Sequence, residues 1–186
     1  MIEVELKFRL REPEDLLARL IARGAVARDA ELEQDVYFAH PGRDFSQSGE
    51  ALRLRQSGGE AILTYKGPYL DRVSKSREER EVRLAGVGEV DGARTVLERL
   101  GFQPVRGVSK RRTTFQIPSE DLEILLVLDD VEGLGLFVEL ETLAEDAVWE
   151  AARERLNGLA CELGLSDPER RSYLELLLLA DSEGRT

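Results

Sequence analysis

Charged residues recur at every second position in several segments of this sequence. Near the N-terminus, Glu3, Glu5 and Lys7 alternate with apolar residues. Because a β-strand points successive side chains to opposite faces, these three charges share one face. The same spacing places Glu139 and Glu141 on one face of a later segment. Clustered carboxylates repel one another unless a cation joins them, and hard Mg²⁺ or Mn²⁺ prefers oxygen ligands.

Basic side chains follow the same spacing in the interior of the sequence. Arg53 and Arg55 share a face, as do Lys110 and Arg112, and Lys66 ends a segment. Converging Arg and Lys side chains require an anion of high charge density. Triphosphate fits this requirement, because its oxygens also complete the coordination of a metal. A face that only had to be solvated would mix the two signs and carry more uncharged polar residues, so the sorting favours an enclosed site.

Eight segments have the alternation that is typical of strands. They are Ile2–Leu10, Leu32–Ala39, Glu50–Gln56, Glu60–Lys66, Arg77–Leu84, Val105–Gln116, Leu122–Asp129 and Leu134–Leu143. Helices are predicted from Pro13 to Gly24, over Val90–Leu100, over Asp146–Leu163 and over Pro168–Ala180, the last with Ser166 and Asp167 as cap candidates. Each half of the chain therefore has the predicted order strand, helix and three strands, and the last two helices follow the second half.

A sheet of this size can close into a barrel with alternate residues pointing inward, which brings the first and last strands together. The predicted fold is α+β, an eight-stranded antiparallel β-barrel flanked by helices. It forms one domain over residues 1–186, with the barrel strands at about 2–142 and the C-terminal helices at about 146–180.

Composition excludes several function classes. The 186 residues include 26 Lys and Arg against 37 Asp and Glu, a net charge of −11, which disfavours a nucleic-acid binder. No apolar run approaches the roughly 20 residues of a membrane span, and the charged N-terminus is unlike a signal peptide. We therefore expect a cytoplasmic protein with no membrane partner. The lone Cys161 excludes an internal disulfide and a multi-cysteine metal cluster.

A series of short motifs links these charged segments. In order they are Glu3-Val4-Glu5-Leu6-Lys7, Asp35-Val36-Tyr37-Phe38, Leu52-Arg53-Leu54-Arg55, Lys66-Gly67-Pro68, Arg77-Glu78-Glu79-Arg80-Glu81, Lys110-Arg111-Arg112, and Leu128-Asp129 through Gly133-Leu134-Gly135 to Glu139-Leu140-Glu141. The series resembles the CYTH family, also called triphosphate tunnel metalloenzymes. Near the end of the chain, Arg171-Ser172-Tyr173 resembles the tail of its class IV adenylyl cyclase-like branch.

The resemblance implies a tunnel with defined roles for its side chains. The metal ligands would be Glu3, Glu5, Asp129, Glu139 and Glu141, binding Mg²⁺ or Mn²⁺. The phosphates would be bound by Lys7, Arg53, Arg55, Lys66, Arg77, Lys110 and Arg112. Catalytic roles would fall to Lys7, Arg53 and Arg55 and to Glu79 and Glu81, which would lie near a second metal or the attacking group. Tyr173 is a further candidate at the tunnel end, and the family allows a homodimer.

Three functions remain open from the sequence. A class IV cyclase would convert ATP to cyclic AMP and pyrophosphate. A triphosphatase would hydrolyse inorganic, nucleoside or thiamine triphosphate, and the full Arg-x-Arg at Arg53 and Arg55 is common among hydrolase members. A non-catalytic binder of polyphosphate or nucleotide is disfavoured, because such a protein could lose its metal ligands freely, whereas this sequence has the complete acidic set. The small-molecule triphosphate is the common partner of all three.

Overall fold

The computed structural model describes residues 2–70, 76–119 and 121–184. In this part of the chain the strands are β1 Ile2–Arg9, β2 Val26–Ala27, β3 Glu31–Ala39, β4 Ala51–Ser57, β5 Glu60–Lys66, β6 Arg77–Arg83, β7 Gln103–Ile117, β8 Ile124–Val131 and β9 Gly135–Ala144. The helices are α1 Glu14–Ala22, α2 Phe45–Ser48, α3 Val90–Arg99, α4 Trp149–Glu162 and α5 Tyr173–Ser182. None of these helices is long and apolar enough to cross a membrane.

Eight of these strands form a closed antiparallel barrel. The order is β7-β3-β4-β5-β6-β1-β9-β8, and β8 pairs back with β7. The ninth strand in the described chain, β2, is a two-residue addition to β7 that the sequence did not predict. Strand β1 lies beside β9, with Glu5 opposite Glu141 and Lys7 opposite Glu139. The predicted eight-stranded α+β barrel and the pairing of its first and last strands are therefore confirmed.

The hydrophobic core lies outside the barrel wall. Val4, Leu6 and Phe8 of β1 point outward and pack with Leu20 of α1 and Leu156 of α4. On the opposite side, α3 packs on β3 and β4 in a second cluster. Because both helix layers cover the apolar outer face, the alternate side chains that point into the barrel are free to be charged.

Helix α5 begins later than predicted. The sequence indicated a start at Pro168 with a cap at Ser166 or Asp167, but the helix starts at Tyr173. Ser172 is its N-cap and forms a capping box with Glu175. The preceding segment is held against β1 instead, because the Glu169 amide donates to the Lys7 carbonyl oxygen at 2.7 Å. Ser172-x-x-Glu175 is a recognisable start signal that outweighs the proline. Similarly, α4 begins at Trp149 rather than Asp146, after a turn.

We predict that Leu140→Ala lowers the free energy of unfolding by about 2–5 kcal/mol, as expected for a fully buried leucine whose removal leaves a cavity. Leu140 is 0% exposed and faces α4 from β9, whereas Leu143 on the same strand is 57% exposed. Leu143→Ala should therefore change stability by less than about 0.5 kcal/mol. Urea denaturation measures both, and equal losses would contradict the placement of the core outside the wall.

Candidate active site

The interior of the barrel contains a cavity of about 530 Å³. Nearly all of the side chains predicted from the sequence line it. These are Glu3, Glu5, Arg53, Arg55, Lys66, Arg77, Glu79, Glu81, Lys110, Arg112, Glu139, Glu141 and Tyr173. Of the remaining two, Lys7 and Asp129, neither lines the cavity, and both are buried next to it.

One end of the cavity is closed by α5. Tyr173, Leu176 and Leu177 form a buried cluster with side chains that include Tyr37 and Phe137 of the barrel wall. The rings of Tyr173 and Phe137 meet edge-to-face with their centroids 5.1 Å apart. At the opposite end the lining residues are exposed or half-buried, and we call Glu81, Glu123, Leu125 and Leu143 the mouth. The predicted tunnel is thus a cup with α5 as its floor.

The carboxylate wall is formed by β1 and β9. Burial raises the pKa of Glu141 well above its usual range, and the charges of Glu139, Glu3 and Glu5 add to that rise against the opposing effect of Arg112. Burial likewise raises the pKa of Glu3, with a further contribution from Glu79. Carboxylate oxygens are the donors that a hard divalent cation prefers, so the donor chemistry of this wall suits Mg²⁺ or Mn²⁺.

An arginine lies among these carboxylates. The Arg112 Nη2 donates to Glu139 at 2.6 Å, and its Nη1 lies 3.6 Å from Glu141. Nε and Nη2 also bind both oxygens of Asp129, at 2.8 and 2.6 Å. In the part of the chain that the structure describes, no three His, Cys, Asp or Glu side chains are arranged around one point as a metal site. Four of the five predicted ligands share the wall, and Arg112 pairs with two of these, Glu139 and Glu141, as well as with the fifth predicted ligand, Asp129.

Asp129 is separate from the carboxylate wall. It is fully buried, and besides Arg112 it accepts hydrogen bonds from Lys110 at 3.1 Å and from the Tyr173 hydroxyl at 2.9 Å. Burial alone would raise the pKa of Asp129, but Arg112 and Lys110 outweigh it and lower the pKa. In this arrangement Asp129 anchors two cations and the first residue of α5, so the metal-ligand role implied by the resemblance is the least supported of the five.

Two buried acids on β3 were missed as site residues. Asp35 accepts a bidentate pair of hydrogen bonds from Arg55 at 2.7 and 2.8 Å. Glu33 lies 2.9 Å from Arg55 and 3.1 Å from Lys110. Burial would raise the pKa of Asp35, but Arg53 and Arg55 hold it far below its usual range. The signal was present in the sequence, because these acids have the same two-residue spacing as the predicted ones.

The remaining basic residues are paired as well. Lys66 donates to Glu79, and the Arg77 Nε lies 3.4 Å from the same carboxylate. Arg53 lies 3.3 Å from the Thr64 hydroxyl and 3.9 Å from Asp35. In the free protein, interior carboxylates therefore neutralise these basic side chains.

Lys7 lies under the floor of the cup. It is 1% exposed, its Nζ donates to the Arg171 carbonyl oxygen, and it lies 4.2 Å from the centre of the Tyr173 ring. The structure does not bring Lys7 to the cavity surface with the other basic residues. Its contact with phosphate remains a prediction that would require Tyr173 to shift.

The cavity wall carries more acid than base. Among the described residues that line it, eight are carboxylates and six are cationic. With every group ionised, the lining has an excess of two negative charges. The raised pKa values of Glu3 and Glu141 reduce this excess by protonation, and divalent cations that enter with a polyanion would neutralise it.

Comparison with known proteins identifies the family. The sequence model of the CYTH domain matches residues 1–173. The chain belongs to the CYTH family. A Methanocaldococcus jannaschii protein named as a candidate adenylate cyclase is 37% identical over 181 residues, covering 95% of this chain and 98% of that protein. The adenylate cyclase CyaB of Aeromonas hydrophila is 32% identical over 180 residues, covering 94% and 87%.

Solved structures support the same assignment. The PH1819 protein from Pyrococcus horikoshii is 41% identical with a TM-score of 0.84, covering 95% of this chain and 98% of that one. A Hippeastrum adenylyl cyclase candidate, described as having a dominant triphosphatase activity, is 21% identical with a TM-score of 0.65, covering 99% and 97%. At that identity the Hippeastrum protein shows the shared CYTH fold alone.

Asp35→Asn tests the role of the missed acids. We predict that it lowers the free energy of unfolding at pH 7 by about 3 kcal/mol, because Arg53 and Arg55 lose a buried counter-ion. Since the folded-state pKa of Asp35 lies below its unfolded value, this contribution is present above about pH 4 and is lost as the pH falls further. The difference between the wild type and the variant should therefore shrink in acid.

Asp130→Asn is the matched control, because Asp130 is exposed on β8. It should change stability by less than about 0.5 kcal/mol at every pH. Denaturant titrations at pH 7 and at a pH well below 4 measure both variants. A loss at Asp35 that does not exceed the loss at Asp130 would show that the pairing is not stabilising.

Proposed function

We propose that this CYTH protein is a divalent-metal-dependent enzyme that acts on a triphosphate, with class IV adenylyl cyclase chemistry as its reaction. In that reaction the ribose 3′-oxygen of ATP bonds to the α-phosphorus, the bond to the β-phosphate oxygen breaks, and pyrophosphate leaves. The observation that carries the proposal is the enclosed cup, whose cationic side chains suit a polyphosphate and whose carboxylate wall suits a divalent metal beside it.

The basic side chains would bind and orient the phosphate chain. Arg53, Lys66 and Arg77 come from three neighbouring strands, and Lys110 and Arg112 face them from β7. All five are held in the cavity by carboxylates or a hydroxyl before substrate arrives, and they would share or exchange these partners when the phosphate oxygens enter. Pre-oriented cations of this kind stabilise the charge that develops in phosphoryl transfer.

The carboxylate wall would hold the metal. Glu5, Glu139 and Glu141 are the residues best placed for it, with Glu3 at the same wall, and a cation there would neutralise charge on the phosphate oxygens. Arg112 contacts Glu139 and Glu141 in the structure, so it has to share or release them when a cation binds. Because Arg112 lines the cavity, its guanidinium would be available to the phosphates once it is released from those carboxylates.

Acids near the mouth could accept the proton of the attacking hydroxyl. The pKa of Glu79 is lowered because Lys66 and Arg77 outweigh the effect of burial, so this carboxylate is ionised at neutral pH. The side chain of Glu81 is 45% exposed and lies 3.9 Å from Arg53. Both are on β6, at the edge of the phosphate site where a ribose would lie.

Hydrolysis of a triphosphate is the second candidate. Cyclisation and hydrolysis need the same metal and basic residues, and they differ in whether ribose or water attacks. Both Arg53 and Arg55 line the cup, which satisfies the full Arg-x-Arg of hydrolase members. The reaction products distinguish the two candidates. The purified protein is incubated with ATP, inorganic triphosphate or thiamine triphosphate in the presence of Mg²⁺ or Mn²⁺. Cyclic AMP with pyrophosphate supports the cyclase, and orthophosphate supports hydrolysis.

The carboxylate wall gives a direct test of catalysis. Glu5→Gln and Glu139→Gln should each lower kcat/KM at least about a hundredfold, a loss of a few kcal/mol of transition-state stabilisation. Glu145→Gln, an exposed acid just after β9, should leave the rate within about twofold. Circular dichroism and the Tm of each variant verify folding. Near-normal rates in both interior variants would contradict the proposed metal role.

Ligand binding tests the charge argument without turnover. In saturating Mg²⁺, inorganic triphosphate at a hundredfold excess over its Kd should stabilise the protein by about 2.7 kcal/mol, or several degrees in Tm. With the metal removed by a chelator, the excess acid of the cavity should largely abolish that shift. Orthophosphate with Mg²⁺ at equal ionic strength is the control. Equal shifts from triphosphate with and without metal would show that the cup binds the bare polyanion.

A further inference from the structure

The chemistry of the cup changes from its floor to its mouth. The cationic side chains belong to the interior, whereas the mouth has two carboxylates, Glu81 and Glu123, and two leucines, Leu125 and Leu143. Leu143 follows Glu139 and Glu141 at alternate positions on β9, so it shares their inward face. It is nevertheless 57% exposed, because the barrel ends there.

This part of the mouth is fixed in place by the barrel. Leu125 is opposite Glu141 in the β8–β9 ladder, and Leu143 is opposite Glu3 in the β1–β9 ladder. The Thr142 hydroxyl donates to the Glu123 carbonyl oxygen at 2.7 Å, which ties the end of β9 to the start of β8. The leucines are therefore a preformed apolar rim directly next to the carboxylate wall.

The closed floor leaves a triphosphate ester one orientation. A phosphate chain has to lie among the basic residues, and the opposite end of the barrel is filled by α5 and its partners Tyr37 and Phe137. Among the residues that the structure describes, the mouth is the end through which an organic group on the triphosphate can leave the phosphate site. We propose that Leu125 and Leu143 contact this organic group and that Glu81 and Glu123 select against a further phosphate in its place.

This inference rests on the proposed triphosphate function and narrows its substrate class. The rim suits an uncharged or cationic group with an apolar surface, such as a nucleoside, because leucines offer dispersion contact and no hydrogen bonds. A fourth phosphate at the same position would face the carboxylate of Glu81, which lies 3.9 Å from Arg53, and the carboxylate of Glu123. The cup therefore favours an organic triphosphate over a longer inorganic polyphosphate.

Leu143→Ala tests the contact with the organic group. In saturating Mg²⁺, the Kd of ATP should rise about fivefold, since most of the leucine side chain is lost, and the Kd of inorganic triphosphate should stay within about twofold. Leu100→Ala is the control, because Leu100 is 66% exposed at the end of α3 on the outside of the barrel. Dissociation constants come from the dependence of Tm on ligand concentration, which requires no turnover.

Glu123→Gln tests the selection against a fourth phosphate. It should lower the Kd of inorganic tetraphosphate relative to that of inorganic triphosphate by about threefold, because one repelling charge is removed at the mouth. An equal effect of Leu143→Ala on ATP and inorganic triphosphate, or no effect on either, would overturn the assignment of the rim, and an unchanged tetraphosphate ratio would overturn the role of Glu123. Failure of the proposed function is distinct, because the wild type would then bind neither ATP nor inorganic triphosphate.

Discussion

A charged side chain inside a closed barrel has to be paired with an opposite charge nearby, since an unpaired ion in an enclosed site costs several kcal/mol. Every described basic side chain that lines the cup has a carboxylate or hydroxyl partner, from Arg55 with Asp35 to Lys66 with Glu79. The acids that line the cup outnumber the bases, so the compensation is completed by protons on carboxyl groups with a raised pKa, such as Glu141, or by cations that enter. This imbalance links the architecture to the proposed chemistry.

The location of the apolar core follows from the same constraint. A small barrel ordinarily fills its interior with apolar side chains, and this one cannot do so and keep a charged cavity. The apolar residues are instead on the outer face, where α1, α3 and α4 cover them. Helix α5 differs from these three helices because it closes the floor with Tyr173, whose hydroxyl is bonded to the same Asp129 that holds Lys110 and Arg112. The buried carboxylate of Asp129 thus joins the floor of the cup to the basic residues of β7.

Alternation was enough to predict the strands and most of the cavity lining. Two-residue spacing assigns Glu5, Arg53 and Glu139 to an inward face without any knowledge of the partner strands, because the pleat fixes it. The same rule applied to β3 would have found Glu33 and Asp35. Pairing between particular ions could not be predicted, because it depends on strand register: Arg112 reaches Glu139 across β8, which separates their strands.

The position of Lys7 shows a second limit of prediction from the sequence. Alternation places it on the inward face of β1, correctly, but does not indicate that α5 packs over that end of the barrel and covers it. The distinction between a tunnel and a cup depends on where α5 begins. The capping box of Ser172 and Glu175 sets that start, and the hydrogen bond from Glu169 to the Lys7 carbonyl oxygen directs the segment before it.

The most direct test of this account is the position of a metal relative to a bound triphosphate. Crystals grown with Mn²⁺ and inorganic triphosphate would be measured at a wavelength where manganese scatters anomalously. The account predicts an anomalous peak in the cup, coordinated by Glu5 and by Glu139 or Glu141 on one side and by phosphate oxygens on the other. Triphosphate bound among the basic residues with no metal at that wall would contradict it.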